Sequence, residues 1–238
     1  MKTYRIILAA MAVLLAAACG NNAVVHMQYD HPERYSLGGV SLGQPVSSIN
    51  IDWYCGDIDI RYYDGSDVRV YEKSDSTLPD YLQMRYRLDS DGELDIRFCK
   101  SGKYRNGELN NLGKHLIVEV PRGIDLAEIE LDGVEVRMTI EQVVSRQLTV
   151  DGVKINVNAY YDTLPNEIDF DAVKGLLALH LLPSAGVTID QDGVMHHLVC
   201  DLPARKEGKS TVVGDGRCKV DVDGVDVSVS IRKRFVEQ

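Results

Sequence analysis

Seven Asp-Gly dipeptides are the most repeated polar signal in this chain: Asp64-Gly65, Asp91-Gly92, Asp132-Gly133, Asp151-Gly152, Asp192-Gly193, Asp215-Gly216 and Asp223-Gly224. Aspartate oxygens brought into a row are hard donors suited to calcium. Asp221, Asp223 and Asp226 form the densest run. Calcium-binding solenoid repeats, however, use a glycine-rich nonapeptide, which is absent here. Asp-Gly is also the default pair for tight turns, because it supplies positive φ. No metal site is expected. His196-His197 could suggest zinc, but neighbours along a strand point to opposite faces and cannot share one ion. His196, between Val194 and Leu198, is expected as a satisfied core histidine, and His26 and His31 fall in a tether. The many carboxylates raise the question of polysaccharide cleavage by an acid pair, yet no spacing picks out a pair. There is no Gly-x-Ser-x-Gly elbow, phosphate loop or His-Glu zinc helix. Neither catalysis nor a cofactor is expected.

Cysteine supplies the remaining reactive groups. Lys2 and Arg5 precede an apolar run from Ile6 to Leu15, then Ala16-Ala17-Ala18 and Cys19. A basic start, a short apolar stretch and small residues read as a secretory signal over residues 1–18, too short to span a bilayer. The site resembles the lipobox of bacterial lipoproteins, whose cysteine is diacylated and becomes the new N-terminus. It departs from that pattern in one place: Ala16 stands where leucine is usual, and Leu15 lies one residue further back. The resemblance implies a lipid on Cys19 as the membrane anchor. Cys55, Cys99, Cys200 and Cys218 are then an even set in an oxidising compartment. Of three possible pairings, Cys55–Cys99 and Cys200–Cys218 close the shorter loops and are the expected disulfides, with free buried thiols as the alternative.

The elements that must carry these groups are strands. Ile49, Ile51 and Trp53 alternate with polar residues, as do Ile58 and Ile60, Ile155 and Val157, and the series Val225, Val227, Val229 and Ile231. Period two over many short runs means half-buried strands, and residues 172–182 fit a strand better than a helix. The chain is expected to be all-β. Gly133, Gly152, Gly175, Gly193 and Gly216 recur at spacings of 19, 23, 18 and 23. A recurrence near 20 residues implies the stacked rungs of a β-solenoid, with an antiparallel sandwich as the rival. The apolar residues change register after successive glycines, so some rungs must hold a bulge or shifted turn. Tyr54, Tyr62, Tyr63, Tyr71, Tyr81, Tyr86 and Tyr104 crowd the N-terminal half. Tyrosine suits both contact surfaces and half-exposed strand faces, and Tyr62-Tyr63 is the pair expected to present one ring outward.

Composition sets the outer bounds. The 238 residues are 45% hydrophobic and 26% charged, enough for one domain with a real core. The net charge of −10 disfavours nucleic acid. Loss of residues 1–18 removes two cations and deepens it to −12, so membrane attachment must rest on the lipid rather than on attraction to anionic headgroups.

The run from Ile49 through Trp53 and Gly56 to Ile60, then Val68-Arg-Val70, Leu94-Asp-Ile96 and Val118-Glu-Val-Pro121-Arg-Gly123, followed by Asp-Gly-Val repeats, resembles the bacterial putative-adhesin family. These are secreted β-solenoid domains of unknown function, common in Bacteroidales lipoproteins, and the family supplies no catalytic residue. The resemblance covers about residues 45–232. The organisation expected is a signal peptide at 1–18, a lipid-anchored tether at 19–44, a less regular β region at 45–117 and regular rungs at 118–232. The function expected is adhesin-like binding or scaffolding in the cell envelope, with an unknown protein or glycan ligand. A periplasmic accessory role in sensing or assembly is one alternative, and a carbohydrate-active β-helix enzyme is another. Gly20-Asn21-Asn22-Ala23 lacks the acidic stretch that marks Bacteroidetes surface lipoproteins, which leans against surface display, and the anchored chain is expected on the periplasmic face or the cell surface.

Overall fold

The computed structural model describes residues 20–234, so the stretch expected as a signal, residues 1–18, lies outside it, as do Cys19 and residues 235–238. Sixteen strands dominate the described chain. The first half runs β1 (Val24–Met27), β2 (Ser36–Leu37), β3 (Val40–Leu42), β4 (Ser48–Tyr63), β5 (Val68–Lys73), β6 (Arg85–Leu88), β7 (Glu93–Arg97), β8 (Gly102–Arg105) and β9 (His115–Pro121). The second runs β10 (Leu126–Glu141), β11 (Ser145–Tyr161), β12 (Glu167–Leu181), β13 (Val187–Cys200), β14 (Ala204–Glu207), β15 (Ser210–Val213) and β16 (Cys218–Lys233). One short helix, α1 (Asn106–Asn110), follows β8.

Six long strands lie side by side, parallel, in the order β13-β16-β12-β11-β10-β4. Each holds a kink near its middle, where the ladder skips Tyr54, Val134, Val153, Val173, Val194 and Val225. The skipped residue turns the side-chain alternation by one. Ile129 and Leu131 are buried before the kink, Val136, Met138 and Ile140 after it. A straight strand of this length would reach about 50 Å, which residues 142–144 between β10 and β11 could not retrace. Each long strand therefore folds back at its kink, and its two halves face each other across the core. Phe170 and Gly175, on opposite sides of one kink, show the closeness: a Cβ at Gly175 would lie 2.8 Å from the Phe170 ring.

The two layers separate visibly at β4. Before its kink β4 pairs with β7, after it with β9. β7, β6 and β2 extend one layer, while β9, β5 and β3 extend the other. Trp53, Phe98 and Tyr54 fill the space between, their rings packed edge to face.

The expected β-solenoid is thereby overturned. One open, mixed sheet of 14 strands forms, neither closed nor wound as a solenoid, and its doubling makes a sandwich. Strand order departs from chain order, since β16 inserts between β12 and β13. Both margins are antiparallel. The recurrence near 20 residues is the length of one kinked strand with its connection. Most Asp-Gly pairs expected as turns lie inside continuous strands, at the kinks. Asp91-Gly92 does form the hairpin turn between β6 and β7, with Gly92 at φ 83°. Gly175 and Gly216 were false members of the series: Ala172 and Gly224 hold the positions in register with Gly152 and Gly193. Residues 24–42, read as tether, pair with β8, β6 and β5 and bury Val25, Met27, Tyr35 and Leu42.

Candidate functional site

In-register pairing turns the repeated aspartates into a row. Asp52, Asp132, Asp151, Asp171, Asp223 and Asp192 occupy one ladder position across six strands. Adjacent members stand about 4.8 Å apart along the sheet. Two residues earlier a second row reads Asn50, Glu130, Thr149, Asp169, Asp221 and Asp190. These side chains alternate with the buried Leu131, Val150, Phe170 and Val222, so they face away from the core. Like charges directly opposite one another oppose sheet formation, and the pKa values of the row are raised accordingly. Burial first, then the neighbouring aspartates, push Asp151 up to about 6. Burial and adjacent acids push Glu130 up to about 7. Asp132, Asp171 and Asp223 are raised as well, burial again leading. Asp52, also burial-shifted to about 6, is eased by Arg97 at the end of the row, 3.9 Å away.

Only part of this face is wired. Thr149 donates to Glu128 at 2.9 Å, Gln147 to Asp169 at 3.0 Å, and Ser210 to Asp190. Glu167, Asp169 and Asp221 bring carboxylate oxygens within 4.8 Å of one another. Oxygen donors so placed suit a hard cation, but the Lys219 ammonium already reaches Asp221 and lies 3.4 Å from Glu167. Asp226, expected beside Asp221 and Asp223, lies beyond the kink and pairs with Lys174 at 3.2 Å. Asp52 and Asp171 were missed because tryptophan and alanine follow them in place of glycine. The near-constant interval from Asp132 to Asp151 to Asp171 was the signal that would have found the row.

The four described cysteines are free thiols. Cys55 and Cys99 share a buried cluster around Lys114, whose ammonium has no exposure, pairs with Glu72 at 2.7 Å and lies 4.3 Å over the Phe98 ring. Burial lowers the lysine's pKa against the pull of Glu72. Burial pushes the Cys55 and Cys99 thiols up to about 12, far from the thiolate a nucleophile needs. Cys218 and Cys200 pair at opposite ends of the ladder joining β13 and β16. His196 corrects another expectation: it stands in register with buried Val227, yet it is exposed, as is His197, because the second half of β13 is the sheet's margin. His31 sits beside Glu33 at 3.4 Å and His26 on β1. Among the tyrosines, Tyr54 and Tyr104 are buried, Tyr81 is exposed, and Tyr62 and Tyr63 are half-buried beneath Arg122 and Arg69.

An all-β sandwich with a broad, one-signed outer face is the class these features define. The chain is similar to a solved structure from Clostridium sporogenes described as a "putative cell adhesion protein". The TM-score is 0.67 at 15% identity, over 84% of this chain and 100% of that one. This likeness establishes the fold. No family model matches the chain, and no curated protein does.

Proposed function

We propose that this chain is a non-catalytic, adhesin-like binding module of the bacterial cell envelope, held to the membrane by lipid on Cys19. The observation that carries the reading is the acidic row. Its carboxylates crowd one another at the expense of folding, and neighbouring cations are too few to neutralise them. A surface that repels itself is explained by an external partner that supplies positive charge. The fold-level likeness to a protein linked to cell adhesion agrees with this role. The sequence after Cys19 favours the periplasmic face as a second placement, since Gly20-Asn21-Asn22-Ala23 carries no acid. Protein and glycan arrays, repeated at low and high salt, test the binding role. Salt-sensitive ligands lost on Asp132→Asn with Asp171→Asn are expected. Silence on every array and on whole cells would overturn the role. Cys19→Ala should release the chain from the membrane fraction, and protease treatment of intact cells separates surface from periplasm.

A further inference from the structure

The second halves of the long strands end at a rim that the acidic row does not reach, and the rim holds a cleft of about 310 Å³. Tyr62, Arg122, Glu141, Gln142, Tyr160 and Arg234 line it. The volume sits at the low end for small-molecule sites. Its walls are held in place before any ligand arrives. Tyr160 stacks on His180, centroids 4.2 Å apart and planes within 14°, so one ring face is covered and the rest lines the cleft. Arg122 lies over Tyr62 at 5.4 Å and reaches Asp64 at 3.6 Å. Arg234 is fixed by Asp162 at 3.0 Å and by its own backbone bond to Leu181.

Gln142 is the unusual member. It is held at φ 61°, one of two non-glycine residues at positive φ among the described residues. A left-handed residue other than glycine is costly and persists where its surroundings or its side chain require it. The Gln142 amide lies between Asp162 and Arg234, and the orientation that satisfies both neighbours has its nitrogen donating to Asp162 at 3.2 Å and its oxygen accepting from Arg234 at 2.6 Å. A glycine would suit the turn better but could not brace this wall. The Glu141 carboxylate, next to it, makes no ion pair or hydrogen bond among the described residues, although its ladder neighbours are Arg61 and Tyr160. Arg61 is taken by Glu119 at 2.8 Å.

The geometry points to a carbohydrate subsite, taking the pyranose ring of an uncharged sugar. Two tyrosine rings offer apolar surface for a sugar's C–H face. The free Glu141 carboxylate accepts from hydroxyls, and the guanidinium and amide groups donate to others. Each arginine already shares an aspartate, so the unmatched charge in the cleft is Glu141. That charge disfavours uronic and sialic acids. This inference rests on the reading of the chain as a binding module and names a ligand class and a place for it.

Saturation-transfer NMR on the full mature chain, with a panel of neutral methyl pyranosides beside uronates and a sialoside, tests it. Neutral pyranosides should bind, and Glu141→Gln, an exposed change, should weaken them at least tenfold. Tyr160→Ala should do the same. Gln142→Gly should weaken binding while leaving the melting temperature equal or higher, because glycine relieves the backbone; a merely structural role for Gln142 would not separate the two readouts. Binding of acidic sugars alone, no pyranoside binding at millimolar concentration, or wild-type affinity in folded Glu141→Gln and Gln142→Gly would overturn the subsite. If salt-sensitive array ligands were still lost with Asp132→Asn and Asp171→Asn, the binding-module reading would stand while the subsite fell.

Discussion

Before the kink, the outward residues nearest to it on β10, β11, β12 and β16 are Glu130 and Asp132, Thr149 and Asp151, Asp169 and Asp171, Asp221 and Asp223. Beyond it, the same four strands present Glu135 and Arg137, Lys154 and Asn156, Lys174 and Leu176, Asp226 and Ser228. One backbone register and one core serve both faces. On the second, charges meet opposite charges across the strands: Arg137 with Asp57 at 2.6 Å, Lys174 with Asp226 at 3.2 Å, and Lys154 with Glu135. On the first, carboxylates stack on carboxylates, with the Lys219 ammonium at the start of β16 reaching Asp221 and Glu167. The fold itself is reason enough for the second arrangement. The first runs against folding, so its cause lies outside the fold, and the proposed role begins there.

The kink that divides the faces offers the largest test. Gly152 does not hold a positive φ; what requires glycine there is the approach of another backbone. A Cβ at 152 would lie 2.2 Å from the Gly133 carbonyl oxygen and 2.8 Å from Ile155. Gly152→Ala should therefore destabilise by about 1–3 kcal/mol through overpacking, read as a shift in urea midpoint at constant slope. Unchanged stability would mean that the strands are not drawn together at the kink, and the division into two faces would lose its basis.

The next test sharpens the charge contrast through pH. Asp52, Asp151 and Glu130 titrate above the ordinary carboxylate range when folded, toward about 6, 6 and 7. The folded chain thus keeps protons that the unfolded chain has released, and stability must rise as pH falls from about 7 toward about 4. Acids held below the usual range, such as Glu119 beside Arg61, oppose this at lower pH. His180, lowered by burial and then by Arg232 and Arg234, opposes it in the same window, as one group against six raised acids. The melting temperature should climb on acidification from pH 8 to pH 5. Asp151→Asn should raise stability at pH 8 by about 0.2–1 kcal/mol by removing like-charge contacts, and should flatten the pH dependence. A melting temperature that fell steadily over the same range would show that the row is not strained.

Much of this was legible and some was not, for physical reasons. Alternation such as Ile155 and Val157 against Lys154 and Asn156 reports the local exposure of one strand, and those residues lie as their pattern implied. The shift of apolar register came from counting at Gly175 and Gly216: from Ala172 and Gly224, which hold the ladder position, Leu177 and Val227 fall at odd offsets like Val136 and Ile155. The route of the chain was not legible, because a recurrence near 20 residues is common to a rung and to a strand folded on itself. Nothing local places β16 between β12 and β13. His196 shows the same limit: its place in the alternation is inward, yet exposure depends on β13 lacking a neighbour there. The cleft at the strand ends joins Tyr62, Gln142, Tyr160 and Arg234 from distant stretches, and Tyr62 alone had been singled out.

The smallest expected effect belongs to the compensated face. Arg137 makes two bonds to Asp57, at 2.6 and 3.1 Å, a bidentate geometry that favours a measurable contribution. Solvent reaches both partners, however, with 72% of the arginine side chain and 42% of the aspartate exposed. Exposed pairs contribute about 0.2–1 kcal/mol, and salt screens them. Arg137→Ala should accordingly destabilise within that range at low salt and less at 0.5 M salt. The double change with Asp57→Ala should recover part of the loss, giving a coupling energy for the pair alone. The contrast with the first face is then one of sign: removing a charge at Arg137 lowers stability, whereas removing one at Asp151 raises it. If both changes moved stability in the same direction, the two faces would not differ in how they hold charge, and the acidic row would no longer call for a partner.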